Sequence, residues 1–133
     1  MGTPLYWPVE QVTHFRWLPP ASDVFSLGAI FVEMLTGQHV RPGFGRLGAR
    51  GSATYLVDFA QVIIENRIPP LSSILPQLPP RVTEVLERSM REPPTPVPAD
   101  HERMRREISE LRYQNAAVFR QELARAFREE ALI

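Results

Sequence analysis

Residues 22–37 read SDVFSLGAIFVEMLTG, and the architecture of the chain follows from them. Ser22 is placed to cap the start of a helix, Asp23 falls in its first turn, and Gly37 follows its end. Apolar residues cover nearly every face of the segment between them, as is typical of a buried central helix. The sequence therefore predicts one long helix at 22–36, with the remaining elements packed around it.

Shorter helices are predicted on either side of this segment. Residues 1–20 carry four prolines and are predicted to be irregular, apart from one helical turn that begins near Val9. Residues 38–52 are rich in Gly, Pro and Arg and are predicted to form a loop. Apolar residues on one face then predict a helix at 53–66, with Ser52 as its cap.

The C-terminal half predicts further helices and no strand. Residues 71–80 read as a loop with apolar anchors, and Pro80 can open a helix at 80–91. The segment 94–111 begins as a Pro-rich linker and continues as a charged helix, and 114–131 reads as a final helix. Either two helices or one long helix fits this last Pro- and Gly-free stretch. Because no segment alternates like a strand, the predicted fold class is all-α.

Composition narrows the function classes. With 133 residues and 44% hydrophobic content, the chain is sized for one packed domain. The formal net charge is zero and no apolar stretch is long enough to cross a bilayer, so we expect neither a nucleic-acid nor a membrane partner. There is no cysteine and no visible signal peptide, which fits a cytoplasmic protein. All 15 basic residues are Arg, so chemistry that needs a lysine amine is excluded.

Several segments, in this order, resemble the C-terminal lobe of a eukaryotic-type Ser/Thr protein kinase domain, bacterial members included. GTPLYWPVEQV, residues 2–12, is similar to the end of the family's activation segment. Residues 22–37 are similar to helix F. LPPRVTEVLERSMREP at 78–93 resembles helix H and the turn after it. RYQNAAVFRQELARAF at 112–127 resembles the closing segment and helix I.

The resemblance implies one partial kinase-like domain over 1–133 and assigns roles to individual residues. Glu10 and Arg112 match the two ends of a buried ion pair of the family, the alternative being two exposed charges. Asp23 matches the helix F aspartate that accepts hydrogen bonds from the catalytic loop, or it is an ordinary first-turn acid. The residues that resemble the loop for the substrate residue after the phosphorylated one are Gly2, Thr3, Pro4, Leu5 and Tyr6.

The residues for ATP binding and phosphoryl transfer are missing from these 133 residues. The reaction needs a phosphate loop, a Lys, metal-binding carboxylates and a base, and the chain has no Lys, no His-Arg-Asp and no Asp-Phe-Gly. GFGRLG at 43–48 fits a phosphate-loop pattern but follows a predicted helix, and Asp58-Phe59-Ala60 lies within a helical pattern. We therefore assign no catalytic, cofactor-binding or metal-binding residue and no cofactor, although ATP and Mg²⁺ serve the parent family.

In the resemblance, 53–66 takes the place of helix G, and 94–111 is an insertion. Opposite charges four residues apart predict three ion pairs on its helix: Glu102–Arg106, Arg103–Glu107 and Arg106–Glu110. Met104, Ile108 and Leu111 form a narrow apolar stripe. This pattern fits a solvent-exposed helix resting on the lobe, or a partner-binding or coiled-coil helix that continues toward Phe127.

Three functions remain open from the sequence. The first is a non-catalytic kinase fragment that acts as a scaffold or complementing half. Its partner would be a separate kinase N-terminal half, or a second copy bound through an exposed helix F surface. The second is part of an active Ser/Thr protein kinase whose N-terminal region is missing from this sequence. The third is a helical protein-interaction adaptor that uses residues 100–131.

Overall fold

The regular structure of this chain is helical. The computed structural model describes residues 4–44, 55–94 and 96–130. Over these ranges it contains helices and turns but no strand, so the prediction of an all-α fold is confirmed. A 3-10 turn at Pro4–Tyr6 comes first. The α-helices that follow are α1 (Val9–Thr13), α2 (Pro20–Thr36), α3 (Tyr55–Glu65), α4 (Leu71–Ile74), α5 (Pro80–Ser89), α6 (His101–Leu111) and α7 (Ala116–Glu129).

The longest of these helices, α2, lies at the centre of the core, as predicted. It packs against both α5 and α7. Its core-facing residues are at most 1% exposed: Val24, Phe25, Ala29 and Val32. Gly28 allows α5 to approach closely, since a Cβ at this position would lie 2.2 Å from Ser89 Oγ.

The start of α2 differs from the prediction, and its end agrees with it. The helix begins at Pro20, with Pro19 at the capping position and no side-chain cap. The prediction of Ser22 as the cap was wrong, because proline in the first turn already fixes the helical backbone without a donor to satisfy. The Ser22 hydroxyl instead donates to Glu10 Oε2 at 2.7 Å. Gly37 ends the helix in the left-handed conformation, with φ of 73°, as expected.

The boundaries of the other helices are set mainly by residues close to them in sequence. Pro80 opens α5 as predicted. The stretch after residue 100 forms two helices, because Asp100 caps α6 and Asn115 caps α7 with their side chains. Two segments predicted to be irregular contain helical turns, namely α4 and the 3-10 turn at Pro4–Tyr6. The predicted cap Ser52 lies outside the described residues.

Helix α6 packs against α2. Met104 and Ile108 are fully buried against Ala21, with Val97 packed beside them. Of the three ion pairs expected on this helix only one forms, between Arg103 Nε and Glu107 Oε1 at 2.9 Å. Because α6 ends before α7 begins, the structure contradicts the alternative of a coiled-coil helix that continues toward Phe127. Among the described residues, no helix is both long and apolar enough to span a membrane.

Candidate functional site

The contact expected between Glu10 and Arg112 is formed. Arg112 Nη1 donates to Glu10 Oε2 at 2.5 Å, and Nη2 donates to Oε1 at 3.1 Å. Both side chains have 0% exposure. Because the two residues are 102 positions apart, this bidentate pair holds the N-terminal segment against the C-terminal part of the chain.

The surroundings satisfy most of the remaining hydrogen-bonding capacity of this pair. Ser22 donates to the Glu10 carboxylate, and Arg112 Nε donates to the Arg91 carbonyl at 2.8 Å. The Arg112 guanidinium also lies 5.0 Å from the centre of the Phe25 ring. A buried pair without such partners would cost more in desolvation than it regains. The pair therefore connects α1, the first turn of α2 and the segments that follow α5 and α6.

A second buried pair lies nearby, and the sequence analysis missed it. Arg41 Nη1 lies 2.9 Å from Glu92 Oε1, and both side chains are more than nine-tenths buried. Arg41 also donates to the carbonyls of Ile63 and Asn66, at 3.2 Å and 2.6 Å. Burial lowers the pKa of the Arg41 guanidinium despite the opposing effect of Glu92. No sequence signal distinguished this arginine, because a charged residue in a loop rich in Gly and Pro reads as solvated.

The loop that resembles a substrate-binding segment lies against α2 and the residues after it. Gly2 and Thr3 lie outside the described residues, while Leu5 and Tyr6 fall in the 3-10 turn that begins at Pro4. The Ser26 hydroxyl donates to the Tyr6 carbonyl at 2.8 Å.

His39 fixes the same loop from the other side. Its Nδ1 accepts from the Arg41 backbone N–H at 3.0 Å, which leaves Nε2 to donate to the Leu5 carbonyl. This arrangement suits the neutral ring, and burial lowers the pKa of His39 below 6.5.

A small cavity of about 330 Å³ opens beside this loop. Tyr6, Glu33 and Met34 are among its lining residues. The neighbouring Glu33 carboxylate, together with desolvation, raises the pKa of the Tyr6 hydroxyl. Glu33 Oε2 is buried there and has no hydrogen-bond partner among the described residues. Sequence reasoning did not single out Glu33, because it reads as one polar residue in an apolar helix.

The other candidate residues show no catalytic arrangement in the described ranges. Asp23 is exposed in the first turn of α2, where both readings of this residue place it. The rings of His14 and His101 come together, with their centres 5.5 Å apart. Residues 4–44, 55–94 and 96–130 contain no group of three side chains able to hold a metal ion.

Among the described residues, α2 leaves part of its apolar surface uncovered. Three large apolar side chains near its C-terminal half are exposed: Ile30, Met34 and Leu35. Beside them, a groove of about 420 Å³ runs between α2 and α7, and its apolar walls are formed mainly by Leu27, Phe31, Phe119, Leu123 and Phe127. We refer to the three exposed side chains and this groove together as the open face of α2.

Comparison of the chain with family models, with curated proteins and with solved structures found no match.

Proposed function

We propose that this chain is a partial protein kinase domain, the C-terminal lobe, which is non-catalytic by itself and acts as a scaffold or complementing half. The buried pair of Glu10 and Arg112 carries the proposal. The resemblance implied a contact between these two positions, 102 residues apart, and they meet in a bidentate contact with no exposure. A pair of exposed charges at these positions would have removed this support.

The absence of phosphotransfer residues supports the non-catalytic part of the proposal. Within the 133 residues there is no Lys to hold phosphates, and the three Asp are Asp23, Asp58 and Asp100. Asp23 is exposed at a helix start, Asp58 lies within α3, and Asp100 caps α6. None of these positions places a carboxylate for metal binding or proton abstraction beside a phosphate site.

The open face of α2 supports the role of a complementing half. A central helix that is apolar on nearly all sides loses free energy of about 25 cal/mol for each Å² of apolar surface left in water. A second segment that covers Met34 and the groove beside it would recover that free energy. The adaptor hypothesis has less support, because Met104 and Ile108 of the insertion are already buried within the chain.

Calorimetric titration of Mg²⁺–ATP into the purified 133-residue chain tests the non-catalytic part. We expect no saturable heat, because no described group cradles a triphosphate. Saturable binding at micromolar ATP would refute the proposal.

Reading the genomic DNA upstream of the Met1 codon in the same frame separates a complementing half from part of an active kinase. Codons for a Gly-rich loop, a Val-Ala-x-Lys, a His-Arg-Asp and an Asp-Phe-Gly would assign the chain to an intact kinase. A stop codon directly upstream would favour the hypothesis of a separate complementing half.

A further inference from the structure

The groove between α2 and α7 is built on side chains that the fold already holds in place. Phe119 and Leu123 line it and are 2% and 6% exposed, so the core beneath fixes their positions. Leu27 and Phe31 of α2 form the opposite wall, and the ring centres of Phe31 and Phe119 are 6.1 Å apart. Its volume of about 420 Å³ and its mainly apolar lining are typical of sites that bind small molecules.

Of the described residues that line this groove, only Arg120 is charged. Its nearest neighbours along the helix are three and four positions away, and none of them is acidic: Ala116, Ala117, Leu123 and Ala124. Arg120 also makes no ion pair with any other described residue. Arg125 of the same helix differs, because its Nη1 lies 3.5 Å from Glu122 Oε1. The groove therefore carries one positive charge that the described chain does not neutralise.

An exposed arginine beside an apolar groove is complementary to a molecule with an apolar chain and an anionic end. The apolar stem of Arg120 adds to the wall while its guanidinium stays in water, where it attracts a carboxylate that also keeps its hydration. A chain with a cationic end would be repelled there. A polypeptide helix fits the groove less well, because two turns of a helix about 10–12 Å across occupy roughly twice its volume.

We propose that the groove between α2 and α7 binds a medium-chain fatty acid, with the alkyl chain against Phe31 and Phe119 and the carboxylate at Arg120. The proposal goes beyond the proposed function and is independent of it, because the fatty acid needs only residues of this chain. A polypeptide that covers the open face of α2 would compete for the same groove. If a kinase N-terminal half fails to bind and the fatty acid binds, the proposed function fails and this site stands.

Calorimetric titration of decanoate, below its micelle concentration, into the purified 133-residue chain tests the site. We expect saturable binding, and binding that weakens roughly fourfold for each methylene removed in nonanoate and octanoate, because each methylene buries a similar apolar area. Decyltrimethylammonium has a chain of the same length and the opposite charge, so it should bind more weakly. The absence of saturable decanoate binding, or equal affinity for the two head groups, would overturn the proposal.

Two arginine variants of α7 test the role of the charge. Arg120→Gln should weaken decanoate binding about three- to fivefold at low salt, whereas Arg125→Gln, outside the groove lining, should leave it unchanged. Neutral octanol should bind both variants as it binds the native chain. Equal weakening of decanoate binding by the two variants would refute a carboxylate site at Arg120.

A variant that fills the groove tests the place of the alkyl chain. Ala124 lines the groove and is half-buried, so Ala124→Phe should occupy the space of the chain and abolish binding of decanoate and octanol alike. Circular dichroism checks that this variant retains its helices. Unchanged decanoate binding to the folded variant would overturn the proposal, because the alkyl chain would then lie elsewhere.

Discussion

α2 and α6 place a methionine side chain in opposite environments, one exposed and one buried. α2 is apolar on nearly all sides and leaves Met34 74% exposed, whereas the largely polar α6 buries Met104 completely. The narrow apolar stripe of α6 is buried against its own chain, so no partner is needed to cover it. The surplus apolar surface of α2 has no such cover in the described residues. The difference distinguishes a helix whose apolar stripe is covered by its own fold from one that leaves apolar surface exposed among the described residues.

The ion pair that joins these two helices is expected to have the largest effect. Arg112 follows α6, and Glu10 is hydrogen-bonded to Ser22 in the first turn of α2. Arg112→Ala leaves a buried carboxylate without its partner, so we expect a loss of about 3–5 kcal/mol in the free energy of unfolding. Chemical denaturation measures it.

A double-mutant cycle provides the control. Glu10→Ala should cost a similar amount, and Glu10→Ala/Arg112→Ala should be little worse than either single variant. Additive losses would mean that the two side chains do not interact in solution.

The two methionines permit a matched comparison. Met104→Ala removes a fully buried side chain, so we expect the free energy of unfolding to fall by about 2–5 kcal/mol. Met34→Ala makes the same chemical change at an exposed position and should alter it by no more than about 0.5 kcal/mol. Thermal and denaturant unfolding of both variants measure the difference. Equal losses would show that α6 does not pack against the rest of the chain.

The close approach of α2 and α5 is expected to be sensitive to one added methyl group. Gly28→Ala would place a Cβ 2.2 Å from Ser89 Oγ, so we expect a loss of about 1–3 kcal/mol from overpacking. The added substitution Ser89→Ala removes the nearest atom and should restore part of the loss. A Gly28→Ala variant as stable as the native chain would contradict this packing.

The smallest expected effect concerns His39, which contacts the Leu5 carbonyl, and its contribution to stability at acidic pH. Burial lowers the pKa of His39 below 6.5, so the unfolded chain binds more protons once the pH falls below that value. His39 therefore makes the chain less stable as the pH falls from 6.5, by a slope of at most about 1.4 kcal/mol per pH unit. His39→Gln should flatten the pH dependence of unfolding between pH 7 and 5. An unchanged slope would mean that this ring titrates normally.

Local signals predicted much of the fold. The apolar segment before Gly37 identified the central helix, and Pro80 identified the start of α5, because both depend on residues close in sequence. Ser22 was misassigned for the opposite reason. Its hydroxyl donates to the carboxylate of Glu10, twelve residues earlier in the chain. A residue preference at helix caps does not reveal such a tertiary contact.

The candidate site was predicted only where a resemblance linked distant positions. Glu10 and Arg112 could be paired because both matched positions of one family. The side chains of Arg41 and Glu92 are also more than nine-tenths buried, yet the sequence offered no reason to join a loop arginine to a glutamate 51 residues later. Long-range pairs of this kind depend on how helices pack, which periodicity and capping do not encode.

The open face of α2 gives the most direct test of the proposed function. The measurement is a calorimetric titration of the N-terminal half of a bacterial Ser/Thr protein kinase, from its Gly-rich loop through Asp-Phe-Gly, into the purified chain. We expect saturable binding to the native chain, binding at least about tenfold weaker to Met34→Glu, and unchanged binding to Glu102→Ala on α6. No binding to the native chain, or equally strong binding to Met34→Glu, would contradict the account.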